Sequence, residues 1–234
     1  MLATSATLPF EMLRAAESAA RGAAESAARG AAGSAARGVT ENAARDILGN
    51  SNRDRYGRNV EPVLIQTTAI NKLPVNSSVG FPLLPDTTLK EAGNSDIIYL
   101  PALWRNPRPI VKKHPEILDW LRKDYENGAM ISAVGTGTCF LAEAGLLNDK
   151  PATTHWHYFD QFQRDYPRVN LQRQYFITQA THLICFHCVN AMADLTVHFV
   201  KRIYGQGIAS FVKRNFSHEI RRSYEKTSYV EGST

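Results

Sequence analysis

The sequence predicts an α/β protein built on a parallel sheet with helices on both faces. From Pro62 onward, short apolar runs alternate with amphipathic helical segments, the order that is typical of such sheets. The segment Asp96–Leu100 carries consecutive apolar residues, which suits a strand buried on both faces. A second apolar run, Ile131–Val134, leads through Gly-Thr-Gly into a helical segment. Such a strand–turn–helix can raise one residue at the edge of a sheet, where a nucleophile would lie.

The remaining elements follow in chain order, each bounded by turn or breaker residues. They are a strand at Val63–Ile65, a hairpin arm at Val75–Pro85, a helix at Glu116–Tyr125 ended by Asn127-Gly128, the elbow helix with Phe140, Leu141, Ala144 and Leu147, two strands within Gln174–Cys188, an amphipathic helix at Ala191–Tyr204 closed by Gly205, and a last helix from about Ile208.

Ligands of parallel sheets bind at the carboxyl ends of the strands, where strand order reverses. We therefore expect the Trp104 loop and the Gly135 turn to meet there.

The composition is that of an ordinary globular protein. The chain has 234 residues, 44% of them hydrophobic and 21% charged, enough for one domain with a sizeable core. The net charge of +5 is too small to indicate nucleic-acid binding by itself. No stretch approaches the roughly 18–20 apolar residues of a membrane span, and no secretory signal is recognisable. Three cysteines argue against a disulfide framework and predict a cytoplasmic protein.

An alanine-rich repeat with a period of eight residues occupies residues 15–46. Its units read AAESAARG, AAESAARG, AAGSAARG and VTENAARD. The recurring glycines each cost a helix about 1 kcal/mol relative to alanine, and almost no large side chain is available to bury. We interpret the repeat as a tandem expansion that lengthens the first helix or leaves it frayed; a helical arm for a partner is the alternative. We place the start of the first helix at residues 1–14 and a polar linker at 47–60.

The Gly-Thr-Gly turn and the histidine after it are the main candidate site. Backbone N–H groups of Gly135, Thr136 and Gly137 could bind an anion or a carbonyl at a helix N-terminus, or the glycines could serve only a tight turn. His155 could be a base, a hydrogen-bond donor to a ligand, or a structural residue. Trp104, Arg105 and Arg108 lie in the loop after the third strand, and an arginine there could pair with a ligand carboxylate or remain a solvated charge.

Two further groups of residues look functional at first sight. His182, Cys185, His187 and Cys188 suggest a zinc site, but they crowd into one predicted strand whose alternate side chains point to opposite faces. We interpret them as core and strand residues. Cys139, inside the elbow helix, should point away from the pocket. The basic C-terminal helices superficially resemble a helix-turn-helix, and we interpret their charges as exposed helix faces.

The elbow at Ala133–Gly137, the helix that follows it and the loop at Ala152–Trp156 together resemble the ThiJ/PfpI superfamily, a branch of the class I glutamine amidotransferase-like fold. The resemblance is strongest to the sensor half of GlxA-type regulators in the AraC/XylS group. The elbow of such regulators typically reads S-V-C-T-G, followed by A-F-x-L-A-E-A-G-L-L and A-T-T-H-W. The matching residues are Ala133-Val134-Gly135-Thr136-Gly137, then Phe140–Leu147, then Ala152-Thr153-Thr154-His155-Trp156. Weaker resemblance extends over about residues 61–230, and Leu8–Leu13 resembles the start of the first helix of the family.

The resemblance implies a three-layer sandwich with a mostly parallel, flavodoxin-like sheet whose first strand is missing here. It places the nucleophilic cysteine of catalytic members on Gly135 and their acidic partner on Ser5, so that only His155 is retained. A thiolate needs a base or a positive field beside it. We therefore expect no catalytic residue, no cofactor and no metal. The resemblance also implies a DNA-binding domain beyond Thr234, outside this chain.

The sequence therefore predicts a non-catalytic, ligand-sensing domain of an AraC-type transcriptional regulator. Its ligand-binding residues would be Gly135, Thr136, Gly137, His155, Trp104 and Arg105. It would form a homodimer, bind no membrane, and contact DNA only through a domain outside this chain. One alternative is a hydrolase, lyase or hydratase of small carbonyls, amides or isonitriles that uses His155 and bound water. The other is a truncated or repeat-expanded product without independent function.

Overall fold

The structure, a computed structural model, describes residues 3–35, 63–103, 106–216 and 228–230. Its helices are α1 (Ala3–Ala35), α2 (Arg108–Lys113), α3 (Pro115–Glu126), α4 (Thr138–Glu143), α5 (Phe159–Asp165), α6 (Val189–Tyr204) and α7 (Gln206–Phe216). Short 3₁₀ turns cover Gly135–Gly137 and Trp156–Tyr158. None of the described helices is both long and apolar enough to cross a membrane.

The strands are short, and five of them form the central sheet. The strands are β1 (Thr68–Ala69), β2 (Val75–Asn76), β3 (Pro82–Leu83), β4 (Thr87–Thr88), β5 (Ile97–Leu100), β6 (Met130–Val134), β7 (Pro151–Ala152), β8 (Asn170–Leu171), β9 (Ile177–Ala180), β10 (Leu183–Phe186) and β11 (Ser228–Val230). The order in the sheet is β11-β9-β10-β6-β5. Strands β5, β6 and β10 run parallel, β9 runs antiparallel to β10, and β11 runs parallel to β9.

The register of the sheet brings the ends of several strands to one edge. Val134 of β6 lies opposite Phe186 of β10, and Leu100 of β5 lies opposite Ala133. The three parallel strands therefore finish together. Because β9 runs the other way, its first residue, Ile177, also lies at this edge. The loop after β5, the Gly135 turn and the residues that flank β9 and β10 are thus brought together, as the parallel pattern predicts.

Helices and strands share a buried core on one side of this sheet. It includes Val111 of α2, Leu121 of α3, Ile131 of β6, Leu141 of α4 and Phe162 of α5, each fully buried. The alternation of strands and helices predicted from Pro62 onward is confirmed, as are the hairpin arm, α3, the β9–β10 pair and α6.

Three details of the predicted elements are wrong. Val63–Ile65 forms no strand; no described strand lies beside it, and Leu64 is 80% exposed. The elbow helix ends at Glu143, because Gly145 turns the chain with a φ of +78°; Ala144 and Leu147 are buried in the turns that follow. Strand β5 is fully buried on one face only. Ile98 and Leu100 are buried, whereas Ile97 and Tyr99 on the other face are half-buried.

The chain divides into two compact units. The sheet belongs to the first, which comprises residues 1–9, 66–195 and 221–234; the second comprises residues 10–65 and 196–220. In the second unit, α1 buries Met12, Ala16 and Ala20 at a spacing of four residues, the periodicity of one helix face. Glu17 accepts hydrogen bonds from Arg14 and Arg21 at 3.2 and 2.7 Å. Helix α1 runs through the repeat as far as Ala35; residues 36–46 and the predicted linker at 47–60 lie outside the described residues.

Candidate ligand-binding site at the elbow

Gly135 stands at the point where strand β6 turns into the elbow. Its φ is +51°, a left-handed conformation that glycine adopts without the steric cost borne by other residues. A Cβ added there would lie 3.4 Å from Cβ of His155 and 3.7 Å from Cβ of Ala102. These are ordinary van der Waals distances, so the position has room for a side chain but carries none. His155 is its immediate neighbour.

Thr136 and Gly137 hold the elbow against the loop that follows β5. The hydroxyl of Thr136 donates to the carbonyl of Leu103 at 2.7 Å and accepts from its N–H at 2.9 Å. A Cβ on Gly137 would lie only 2.6 Å from the carbonyl oxygen of Pro101. The second glycine is therefore required for close approach of two backbones rather than for a special φ.

Two buried threonines tie the His155 loop to the elbow. The hydroxyl of Thr154 donates to the carbonyl of Gly135 at 2.8 Å. The hydroxyl of Thr138 donates to the carbonyl of Thr153 at 3.2 Å. Both Thr153 and Thr154 are fully buried, so these bonds are shielded from competing water. The Thr-Thr-His sequence thus fixes where His155 stands relative to Gly135.

His155 is half-buried and held in one orientation. Its Nδ1 accepts a hydrogen bond from the backbone N–H of His157 at 3.4 Å, so in the neutral ring the proton is on Nε2, which is left as a donor. Burial, and then the nearby His157, hold the pKa of His155 below its usual value. The ring centroid lies 5.7 Å from that of Trp156, whose side chain is exposed. At neutral pH His155 is an uncharged donor or base.

His187 is a second histidine at this site, and the sequence interpretation missed it. Its ring centroid lies 6.0 Å from that of His155, and its ring stacks on Phe176 at 5.2 Å and meets Phe159 edge-on at 5.6 Å. Burial, and then His155, lower its pKa. Strand β10 ends at Phe186, so His187 is the first residue beyond the carboxyl end of a parallel strand. Its position directly after a predicted strand could have identified His187 as a candidate site residue, because ligands bind at the carboxyl ends of parallel strands.

Of the other residues that the sequence suggested for the site, some lie outside the described residues and one forms a structural ion pair. Trp104 and Arg105 lie outside the described residues, so their contact with a ligand stays a prediction. Arg108 forms an ion pair with Asp165 at 3.0 Å, and the Asp165 side chain is buried. Ser5 lies in helix α1, and its side chain lies outside the described part of the chain.

The buried cysteines are poorly suited to act as nucleophiles. Burial raises the pKa of Cys139 far above its usual range, with the nearby Asp165 and Glu143 adding to the effect. Burial likewise raises the pKa of Cys185 to about 12. Both thiols stay protonated at neutral pH, and the thiolate is the reactive form. Among the residues that the structure describes, no group of three or more His, Cys, Asp or Glu could hold a metal ion.

Comparison with known proteins places the chain in a family. The family model described as "DJ-1/PfpI family" matches residues 54–180, just over half of the chain. The chain is 29% identical over 143 residues to the HTH-type transcriptional regulator CdhR of Pseudomonas aeruginosa, covering 61% of this chain and 41% of that protein. It is 36% identical over 88 residues to an isonitrile hydratase of Pseudomonas putida, covering 38% of each. The chain thus spans about two fifths of the length of these relatives.

The fold of this chain is similar to that of a solved structure. The structure of an AraC family transcriptional regulator from Pseudomonas putida is similar with a TM-score of 0.51 and 22% identity, over 64% of this chain and 79% of that one. This likeness confirms the predicted α/β fold class. The predicted resemblance to the ThiJ/PfpI superfamily is confirmed by the family match, and the predicted resemblance to transcriptional regulators is confirmed by the likeness to CdhR. The chain therefore belongs to the DJ-1/PfpI family.

Proposed function

We propose that this chain is the non-catalytic, small-molecule-sensing domain of an AraC-type transcriptional regulator. The observation that carries the proposal is the elbow itself: Gly135 keeps the turn with a φ of +51° and has no side chain, while His155 stands beside it. A regulator, CdhR, is among the relatives. An elbow without a nucleophile leaves room for a ligand at the place where catalytic members would attack one.

The chemistry of the neighbouring residues supports binding over covalent catalysis. On our assignment, the cysteine of catalytic members falls on Gly135 and their acid on Ser5. Cys139 and Cys185 are buried and protonated, so neither replaces the missing thiolate. His155 and His187 are uncharged at neutral pH and offer hydrogen bonds, and Trp156 and Phe176 offer exposed aromatic surface.

In this proposal the ligand lies against Gly135 and His155. Thr136 and Gly137 shape the floor of the site through their contacts with the loop after β5. Trp104 and Arg105 would approach from the same loop. The regulator would act in the cytoplasm as a homodimer. Ligand binding would change the posture of DNA-binding domains that lie outside this chain.

A thermal melt against a panel of amino acids, amines and small carboxylates tests the proposal. A ligand that binds only the folded state at a hundred times its Kd adds about 2.7 kcal/mol of stability, roughly 5–11 °C in Tm for a chain of this size. His155→Ala should abolish the shift. The matched control is His157→Ala, which removes an exposed ring two residues away. A panel without any shift, or equal shifts in both variants, would contradict the proposed site.

The alternative is a hydratase or hydrolase of small carbonyls, amides or isonitriles. Two observations favour it: the similarity to an isonitrile hydratase over 88 residues, and the neutral His155 ring, which could act as a general base on bound water. Turnover of an aldehyde, amide or isonitrile that disappears in His155→Ala would establish this activity. Ligand-induced stabilisation without turnover would establish the sensor instead.

A further inference from the structure

The end of α6 and the whole of α7 carry a concentration of positive charge that the sensor proposal does not use. Residues 196–216 contain four lysines and arginines and no aspartate or glutamate. The net charge of the whole chain is +5, so this stretch, less than a tenth of the sequence, accounts for most of it. The charges come in two pairs, Lys201-Arg202 in the last turn of α6 and Lys213-Arg214 in the last turn of α7.

These four side chains form a basic surface that is open to solvent. Lys201, Arg202 and Arg214 are exposed, and Lys213 is half-buried. None of the four forms an ion pair with an acidic side chain of the described chain, and both pairs belong to the same compact unit. Cations at the end of a helix are favoured by its dipole, which explains the position of each pair but not the absence of acidic residues between them.

The carboxylate that lies beside the end of α6 does not neutralise the basic surface. Burial, and then the nearby Glu17 of α1, raise the pKa of Tyr204, so Glu17 lies close to the last residue of α6. Glu17 is buried and accepts hydrogen bonds from Arg14 and Arg21. The side chains of these two arginines are 48% and 63% exposed. This contact with α1 therefore adds a net positive charge beside the basic surface.

The chemistry of the basic surface suits a polyanion better than a membrane. Ile203 and Phe211, the exposed large apolar residues of this region, are only 42% and 40% exposed, whereas a helix that lies in a membrane surface presents a continuous apolar face. Double-stranded DNA offers one negative charge about every 1.7 Å along its axis, and lysine and arginine side chains contact these phosphates without reading the bases.

We propose that the basic surface binds the phosphate backbone of double-stranded DNA without sequence preference. The choice of DNA among polyanions rests on the proposed function, because a transcriptional regulator acts on DNA. The sequence predicts contact with DNA only through a domain outside this chain, so this contact would be an additional one. It would hold the sensing domain against the DNA and strengthen the binding of the whole regulator.

Fluorescence anisotropy of a labelled duplex of arbitrary sequence, titrated with the purified chain, tests the proposal. Four phosphate contacts should weaken binding about 100-fold as the salt concentration rises from about 50 to 200 mM. The double variants Lys201→Gln/Arg202→Gln and Lys213→Gln/Arg214→Gln each remove two contacts. Each should weaken binding at the lowest salt at least about 10-fold and reduce the slope of log Kd against log salt concentration by about 2.

The matched control is Lys112→Gln/Lys113→Gln, which removes the same charge from the last turn of α2. Both of these lysines are exposed, and their loss should leave the salt slope unchanged. Equal weakening by the control would mean that net charge alone attracts DNA, and it would overturn the proposal. Circular dichroism checks that each variant is folded.

Three other outcomes would also overturn the proposal. They are no binding of the duplex at the lowest salt, wild-type affinity in both folded double variants, and binding to vesicles of anionic phospholipid but not to the duplex. The thermal melts that test the sensor contain no DNA. A chain that responds to a small molecule but does not bind the duplex therefore contradicts this inference alone, and a chain that binds the duplex but responds to no small molecule contradicts the sensor alone.

Discussion

Alanine should destabilise the elbow at both of its glycines, but in the opposite order of size to the one that their backbone angles suggest. A rule based on φ alone predicts that Gly135, at +51°, tolerates alanine less well than Gly137, at −60°. The packing predicts the reverse. A Cβ on Gly137 would lie 2.6 Å from the carbonyl oxygen of Pro101 and 3.0 Å from that of Leu100. Both are backbone atoms, which cannot move aside as a flexible side chain could.

The structure sets the size of each effect. Gly137→Ala gains about 0.5–1 kcal/mol from a less flexible unfolded chain, but relieving its clash costs about 3 kcal/mol or more. The net loss should be about 2–3 kcal/mol. Gly135→Ala meets its neighbours at 3.4 Å or more, so its cost is the left-handed backbone alone, about 1 kcal/mol. For a chain of this size, Tm should fall by roughly 4–12 °C in the first variant and 2–4 °C in the second.

Thermal melts and urea titrations of the two variants and the wild type make the comparison. Circular dichroism should show cooperative unfolding in all three, with the midpoint of Gly137→Ala lowest. The reasoning is refuted if Gly135→Ala destabilises the chain as much as Gly137→Ala or more. In that case the backbone conformation, rather than the contact with the loop after β5, would determine which residue the elbow needs.

Three further predictions concern the side chains that surround the elbow. The pKa values of His155 and His187 are lowered in the folded state, so their contribution to stability is present above the unfolded-state pKa of about 6.5 and is lost as the pH falls below that value. Replacing both residues by glutamine should therefore make the urea midpoint fall less steeply between about pH 7 and pH 5. A double variant with the same pH dependence as the wild type would contradict this prediction. Thr154→Val removes the buried 2.8 Å hydrogen bond to the elbow carbonyl and should cost about 1–3 kcal/mol, whereas an unchanged urea midpoint would show that the bond does not hold the turn. Asp165→Asn removes the charge of a buried carboxylate that accepts hydrogen bonds from Tyr158 and Gln161, and it should cost about 1–3 kcal/mol. Arg108→Met, which replaces a side chain that is 46% exposed, should cost under about 1 kcal/mol; equal losses of unfolding free energy in the two variants would contradict the view that the buried carboxylate matters more than its exposed ion-pair partner.

Local patterns in the sequence predicted most of the secondary structure. Period-two and helical spacings, together with turn residues such as Asn127-Gly128 and Gly205, were enough to place α3, α6 and the β9–β10 pair, because these elements are bounded by their own residues. The prediction of a strand at Val63–Ile65 was wrong for the complementary reason. A strand exists only beside another strand, and no three-residue run can specify its neighbour.

The site was predictable only as far as contiguous motifs reach. Gly135 and His155 belong to two motifs with fixed spacing, and the structure places them side by side. His187 joins them through the register of β10 against β6, which pairs Phe186 with Val134. That register depends on distant parts of the chain. Viewed along the sequence, His187 is one member of a crowded run of histidines and cysteines; viewed in the sheet, it is the residue that leaves the strand next to the elbow.

The contacts that hold the elbow explain how the turn keeps its shape with no side chain at position 135. Thr136 and Gly137 fix the turn to the loop after β5, and Thr154 fixes the His155 loop to the carbonyl of Gly135. None of these contacts uses a side chain at position 135. Glycine there also removes the strain that any other residue would suffer at a φ of +51°. The fold therefore needs no side chain at position 135 to hold the turn beside His155.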